Sequence, residues 1–299
     1  MSWLGRAALA SSAAVLLAPP RVEQLELRTP VSGMLRVPAG SFAMGSSGED
    51  VLGALLDCQR EPRSTECDPS VFGNEGPPRT VRLSAYWLDR TEVTVKDYAR
   101  CVAVGRCSAI PFAEGARRFE RPAYPASLLT WDEARNYCAF RGARLPTEAE
   151  FERAARGPSG RKYPWGNVYS VHASNHGKFS FDASDPSDGF AELAEVGSFP
   201  AGRTPEGFLD LAGNVSEWVS DRYAPTYSET DLVDPRGLAV SGSSPGRVVR
   251  GGSYESAAPW LRGAARVAMD PSTRRPTIGF RCARTAARTP SGASPEGKE

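Results

Sequence analysis

The chain of 299 residues has only two histidines and no Cys-x-x-Cys, so a histidine-cluster metal centre, a zinc ribbon and a thioredoxin-type site all lack their ligands. Net charge is almost absent, with 36 basic against 35 acidic side chains. Without a basic excess there is no electrostatic reason for a nucleic-acid partner, and none is expected. The apolar run Ala7 to Ala18 is too short to cross a bilayer, so no transmembrane segment is expected. No internal repeat is visible. Glycine (29) and proline (25) are abundant instead, which favours a loop-rich fold over a helical bundle. The length suits one large domain or two ordinary ones, enough to bury a core.

Arg6, the apolar run and Pro19-Pro20 fit a secretory leader, although Leu16 and Pro19 are unusual near a cleavage site; residues 1–22 are read as a signal peptide. No cysteine follows the run to accept a lipid anchor. The six cysteines stand at 58, 67, 101, 107, 138 and 282, as two close pairs and one distant pair. Cys58 with Cys67 and Cys101 with Cys107 read as loop clips. Six buried free thiols are the alternative, but the polar segment Asp57 to Pro69 offers little core for two of them. An oxidising, extracytoplasmic location, periplasmic or secreted, is the better reading.

The folded region opens with a strand-like stretch from Leu35 to Gly45, followed by a Ser, Glu, Pro and Gly-rich insert over 46–79. Val81, Leu83, Ala85 and Trp87 then alternate with Arg82, Ser84, Tyr86 and Leu88, which predicts one strand with one buried face. Thr94, with Asp97 three residues on, starts a helix ending near Gly105. Thr130 with Glu133 and Thr147 with Glu150 are capping boxes, closed by Gly142 and Gly157. Ala134, Tyr137, Cys138 and Arg141 share a face of the second helix; Phe151, Ala154 and Ala155 share one of the third. Between 157 and 248 no periodicity is sustained, and residues 286–299 read as a disordered tail. One α+β domain rich in irregular backbone is the economical reading.

Five motifs now stand in order: Leu145-Pro-Thr-Glu-Ala-Glu-Phe-Glu-Arg-Ala-Ala-Arg-Gly157, Tyr163-Pro-Trp-Gly-Asn167, Gly213-Asn-Val-Ser-Glu-Trp218, Arg250-Gly-Gly-Ser-Tyr254 and Ile278-Gly-Phe-Arg-Cys-Ala283. Together they resemble the formylglycine-generating enzyme, or sulfatase-modifying factor, family over residues 33–285. The resemblance implies a variant of the C-type lectin fold, with small antiparallel sheets, few helices and much irregular chain. It also implies a disulfide between Cys138 and Cys282, which leaves the two close pairs for the remaining cysteines.

Two calcium sites are implied as well. The first comprises Asp210 and Glu217 with the carbonyls of Gly213 and Val215; turn-capping is the plainer role for these carboxylates. The second comprises Asn175 and Asp188 with the carbonyls of His176 and Phe190. Calcium takes about six to eight oxygens, which irregular loops supply well. Asn214-Val-Ser216 is also a glycosylation sequon, but the motif accounts for that asparagine better.

The family's oxidase holds copper(I) on two cysteines five residues apart after Arg-Gly-Gly-Ser-Tyr, as a soft ion requires. Those positions fall on Ala258 and Gly263, neither of which offers a ligand atom. Copper is therefore not expected, and restoring cysteine at both positions is expected to rebuild copper binding. Glu255, Trp260 and Arg262 are candidate residues for another chemistry. Trp260, Arg262 and Arg266 serve either an anionic or peptide ligand or the core. Gly242-Ser-Ser-Pro-Gly246 matches a serine-hydrolase elbow pattern but lacks its strand-to-helix context, and His172 and His176 precede it, the wrong order for that fold family. Two functions remain: a monomeric module holding a peptide or protein partner in the family's groove, or an enzyme of the same family with a non-cysteine active site.

Overall fold

Among the described residues three short sheets form, each from segments distant in sequence. The computed structural model describes residues 33–60, 67–178, 185–237 and 246–286. The predicted leader, residues 287–299 of the predicted tail and residues 242–245 of the elbow pattern lie outside them.

The stretch from Leu35 to Gly45 is two strands, β1 (Met34–Val37) and β2 (Gly40–Met44), divided at Pro38, which has no N–H to give a ladder. The alternating run after it is also two strands, β3 (Arg79–Leu83) and β4 (Tyr86–Asp89). Its phase reverses between them. Val81 and Leu83 are buried in β3, but Tyr86 and Leu88 are buried in β4, where the single-strand reading placed Ala85 and Trp87. The cause is Ser84, whose N–H and hydroxyl both donate to the Asp234 carboxylate at 2.6 and 2.7 Å. That pins the chain where it leaves one sheet for another. β3 pairs with β2, whereas β4 pairs with β1 and with β9 (Ala283–Thr285).

A four-stranded sheet runs in the order β7 (Arg266–Met269), β6 (Arg247–Arg250), β5 (Ser216–Arg222) and β8 (Ile278–Gly279), the last pair parallel. β5 lies where the sequence showed no periodicity. Glu217, Trp218 and Val219 are all buried in succession, so burial does not alternate along the strand, and polar residues fall on both faces.

The insert is not irregular. It forms α1 (Gly48–Arg60) and α2 (Pro69–Gly73). Val51, Ala54, Leu55 and Cys58 make an i, i+3, i+4, i+7 stripe, and Ala54 and Cys58 are fully buried against Phe72 and Ala257. The segment thus supplies a core that its polar composition concealed.

α3 (Val95–Ala103), α4 (Trp131–Phe140) and α5 (Glu148–Arg156) start at Thr94, Thr130 and Thr147, with both capping boxes formed. α4 buries Trp131, Ala134, Tyr137 and Cys138. α5 departs from its expected amphipathic form: Glu148, Glu150, Glu152, Arg153 and Arg156 are buried along with Phe151, Ala154 and Ala155. It packs in a core that includes Phe42, Met44, Tyr86, Leu88, Phe208 and Val219. Three disulfides close Cys58–Cys67, Cys101–Cys107 and Cys138–Cys282, and no free cysteine remains among the described residues. The last ties α4 to the strand end before β9. Among the described residues no helix is long and apolar enough to cross a membrane.

Candidate functional site

A helix buried on all sides needs its charges paired, and α5 has a partner for each carboxylate. Glu148 receives Arg266 Nε at 2.6 Å and Nη2 at 2.9 Å, with Arg250 Nη1 at 3.2 Å. Burial works against the Glu148 carboxylate, but Arg266 and Arg250 overcome it and hold its pKa below the ordinary value. Glu152 takes Arg250 Nη2 at 2.6 Å, Arg156 Nη1 at 2.8 Å and the Gly45 N–H at 2.7 Å. Glu150 pairs with Arg144 at 2.6 Å. Arg250 also donates to the carbonyls of Gly263 and Ala264, both at 2.9 Å.

This network backs the copper position of the family. A Cβ on Gly263 would stand 2.5 Å from Arg156 Cγ, near the stem of a side chain whose guanidinium is held by Glu152 and by the Gly45 carbonyl. Cysteine at 263 therefore does not fit unless Arg156 moves, which corrects the expectation that two substitutions rebuild the site. Copper(I) does not fit the residues present.

Ala258 begins a 3-10 turn, Ala258–Leu261, entered through Arg250-Gly-Gly-Ser-Tyr254. Gly252 has φ +69°, and a Cβ there would lie 3.0 Å from both Trp260 O and Leu261 Cδ2, so the motif needs glycine to turn under the loop. Beside the turn is a cavity of about 260 Å³. Val249, Val267, Ile278, Ala257 and Trp260 supply its apolar lining, with Glu255, Lys178 and Arg275 as its charges. Glu255 is half-buried; desolvation raises its pKa, Arg275 opposes this and Glu192 adds to it. Hollows of about 390 Å³ near Trp131 and about 400 Å³ near Asp50 share no lining residue with this cavity.

The other candidates sort differently. Arg262 is a buried structural partner, donating to both Glu75 oxygens at 2.8 and 2.5 Å, so it is not offered to a ligand. Arg266 belongs to Glu148. Trp260 lines the cavity with Glu255. His172 is exposed, while His176 is buried and its backbone N–H donates to Asp188 at 2.7 Å.

Asp210 and Glu217 meet through Arg281. Its guanidinium donates to both Glu217 oxygens at 2.7 Å and to the Asp210 carbonyl at 3.0 Å. The Asp210 carboxylate accepts the Gly197 N–H at 2.6 Å. Glu92 joins them; burial and then Asp210 push its pKa well up. In the first implied calcium set the Glu217 carboxylate thus already faces the Arg281 guanidinium.

The second set differs. Asn175 Nδ2 donates to Glu192 O at 2.8 Å and to Asn214 Oδ1 at 3.1 Å, leaving Asn175 Oδ1 buried without a partner. Asp188 accepts the N–H groups of His176 and Phe190 at 2.7 and 2.8 Å, and a carboxylate retains further lone pairs. Unspent oxygens beside a carboxylate are a donor set that fits a hard cation. Gly213 (φ +81°) approaches this loop so closely that a Cβ would fall 2.2 Å from Asn175 O. Asn214 is buried with its amide donating to Glu92 Oε1 at 3.0 Å, so the sequon is not presented at the surface. Among the described residues no group of three or more His, Cys, Asp or Glu converges as a metal cluster.

Sequence reading missed Glu75, Glu92, Glu152 and Arg156. Arg153 and Arg156 close the Leu-Pro-Thr-Glu motif, and basic residues inside a helix between apolar positions signal buried partners. Glu75 carried no such signal.

Comparison with known proteins agrees with this architecture. The model of the sulfatase-modifying factor enzyme 1-like domain matches residues 20–286. An inactive C-alpha-formylglycine-generating enzyme 2 from Bos taurus is 31% identical, over 86% of this chain and 89% of its own. A formylglycine-generating enzyme from Streptomyces coelicolor is 32% identical, over 85% and 90%. The structure of PvdO from Pseudomonas aeruginosa superposes with a TM-score of 0.67 at 27% identity, covering 85% of this chain and 94% of that one. The chain belongs to the formylglycine-generating enzyme, or sulfatase-modifying factor, family.

Proposed function

We propose that this protein is an extracytoplasmic member of the family that holds a peptide or protein partner beside Trp260 and does not carry out copper-dependent cysteine oxidation. A relative named as a formylglycine-generating enzyme and one named as an inactive one are 32% and 31% identical, so resemblance does not decide between the two activities. The observation that carries the reading is Gly263 lying against the Arg156 stem, with no thiol at either copper position and all described cysteines spent in disulfides. Those disulfides support an oxidising compartment. A mostly apolar cavity with a few charged groups suits recognition of a side chain better than redox chemistry. The second reading, an enzyme with a non-cysteine active site, rests on Glu255, whose pKa burial raises.

Calcium is part of the proposal, at Asn175 and Asp188, where the buried Asn175 oxygen supports it. The chain acts as a monomer.

The test is mass spectrometry of a cysteine-containing sulfatase-type peptide incubated with the protein, copper and oxygen. An unchanged thiol is expected. A copper-dependent, aldehyde-reactive product would overturn the reading, and a copper-independent product lost in Glu255→Gln would favour the second.

A further inference from the structure

Resting on the peptide-binding reading, we propose that α1 and residues 67–75, joined by Cys58–Cys67, are the selectivity wall of the Trp260 cavity. We further propose that the cavity selects an apolar side chain whose neighbour in the peptide is basic. The wall is built by direct contact. The Phe72 and Trp260 rings stand 5.3 Å apart, tilted by 51°. Ala54, Cys58 and Phe72 pack on Ala257, and Val71, 36% exposed, lines the cavity itself. Both Arg262 Nη groups donate to the Glu75 carboxylate, and Arg262 Nε donates back to Pro259 O at 2.9 Å. The turn that carries Trp260 is thereby fastened to that wall at two points, and Cys58–Cys67 joins its two parts.

Val71 meets Val249, Val267, Ile278 and Ala257 around one space, so an apolar side chain is the occupant that loses least on leaving water. Three charges line the same space. Lys178 has Asp185 at 3.4 Å. Arg275 is exposed, so a partner there gains little over water. Glu255 is half-buried; Arg275 attracts its carboxylate and Glu192 repels it, but no hydrogen bond reaches that carboxylate from the described residues. An incoming ammonium or guanidinium would supply the missing donor.

The test uses fluorescein-labelled Gly-Ser-Leu-Lys-Ser-Gly, with Leu-Glu and Ala-Lys counterparts, by fluorescence anisotropy. Wild-type protein should bind the Leu-Lys peptide about tenfold more tightly than the Leu-Glu peptide, and Glu255→Gln should shrink that ratio to roughly twofold or less. Val71→Trp, which fills the wall at an exposed position, should weaken the Leu-Lys peptide about tenfold while leaving the Ala-Lys peptide within roughly threefold. Equal or tighter binding of the Leu-Glu peptide by wild-type protein overturns the inference, as does a Val71→Trp variant that loses both lysine peptides alike. If no peptide binds at millimolar concentration, the peptide-binding reading itself fails, an outcome distinct from binding without preference.

Discussion

Around α5 each of the three glutamates has a guanidinium held against it, whereas Glu255, at the Trp260 cavity, has none. Both regions flank the turn where the family places its copper. On the Gly263 side the charges are mutual, desolvated and bonded, with Arg250 fully buried between Glu148 and Glu152. On the Trp260 side one half-buried carboxylate faces an open apolar space. The contrast separates two uses of charge: buried pairs fix a single arrangement of the fold, and a carboxylate beside a cavity with no cation bonded to it keeps its acceptor sites for a partner from outside.

The largest expected effect lies in the architecture. Replacing Cys138 and Cys282 by alanine opens a closure of 144 residues, worth about 4–5 kcal/mol in the chain-entropy view. Urea unfolding of the oxidised wild type and the double variant measures it, and a change under about 1 kcal/mol would mean the tie between α4 and the C-terminal strand is dispensable.

Arg250→Ala comes next. It removes the cation that Glu148 and Glu152 share, leaving them to Arg266 and Arg156, at a cost of about 3 kcal/mol by the same measurement. Glu255→Gln should stay within about 0.5 kcal/mol. Equal losses from the two substitutions would erase the comparison.

Much of this contrast was legible in sequence, but unevenly. Thr130 with Glu133 and Thr147 with Glu150 announced two helices because capping is local: partner and donor lie within three residues. The reversal of phase at Ser84 was hidden because its cause, Asp234, lies 150 residues away. α1 was legible in the spacing of Val51, Ala54, Leu55 and Cys58, yet its acidic and glycine-rich composition obscured it. The absence of copper ligands could be counted from the motif. The obstruction behind Gly263 could not, since the Arg156 stem reaches it through the fold.

Asp221 sharpens the architectural side further. It is fully buried; desolvation and then the Glu148 charge push its pKa up to about 7. Its folded value exceeds its unfolded one, so its proton favours the native state below the ordinary carboxylate range. That stability is lost as pH rises toward about 7 and changes little above it. Melts from pH 5 to 8 should show Asp221→Asn gaining on wild type until near neutrality. A constant difference across that range would contradict the assignment.

A smaller effect is expected at Asn175 and Asp188. Chelation should lower the melting temperature of wild-type protein, because an ion bound only by the native state stabilises it by mass action. Asp188→Ala should abolish the response, while Asp210→Ala should retain it. A chelator response lost only in Asp210→Ala would move the cation to the Arg281 cluster.

The central claim is that an ion-paired floor lies where the resemblance would place copper, and a copper(I) titration with a competing chelator tests it most directly. Wild-type protein and the Ala258→Cys, Gly263→Cys variant should both fail to retain copper, whereas adding Arg156→Ala to that pair should gain a site. Stoichiometric copper(I) on wild-type protein, or on the double variant with Arg156 in place, would contradict the account.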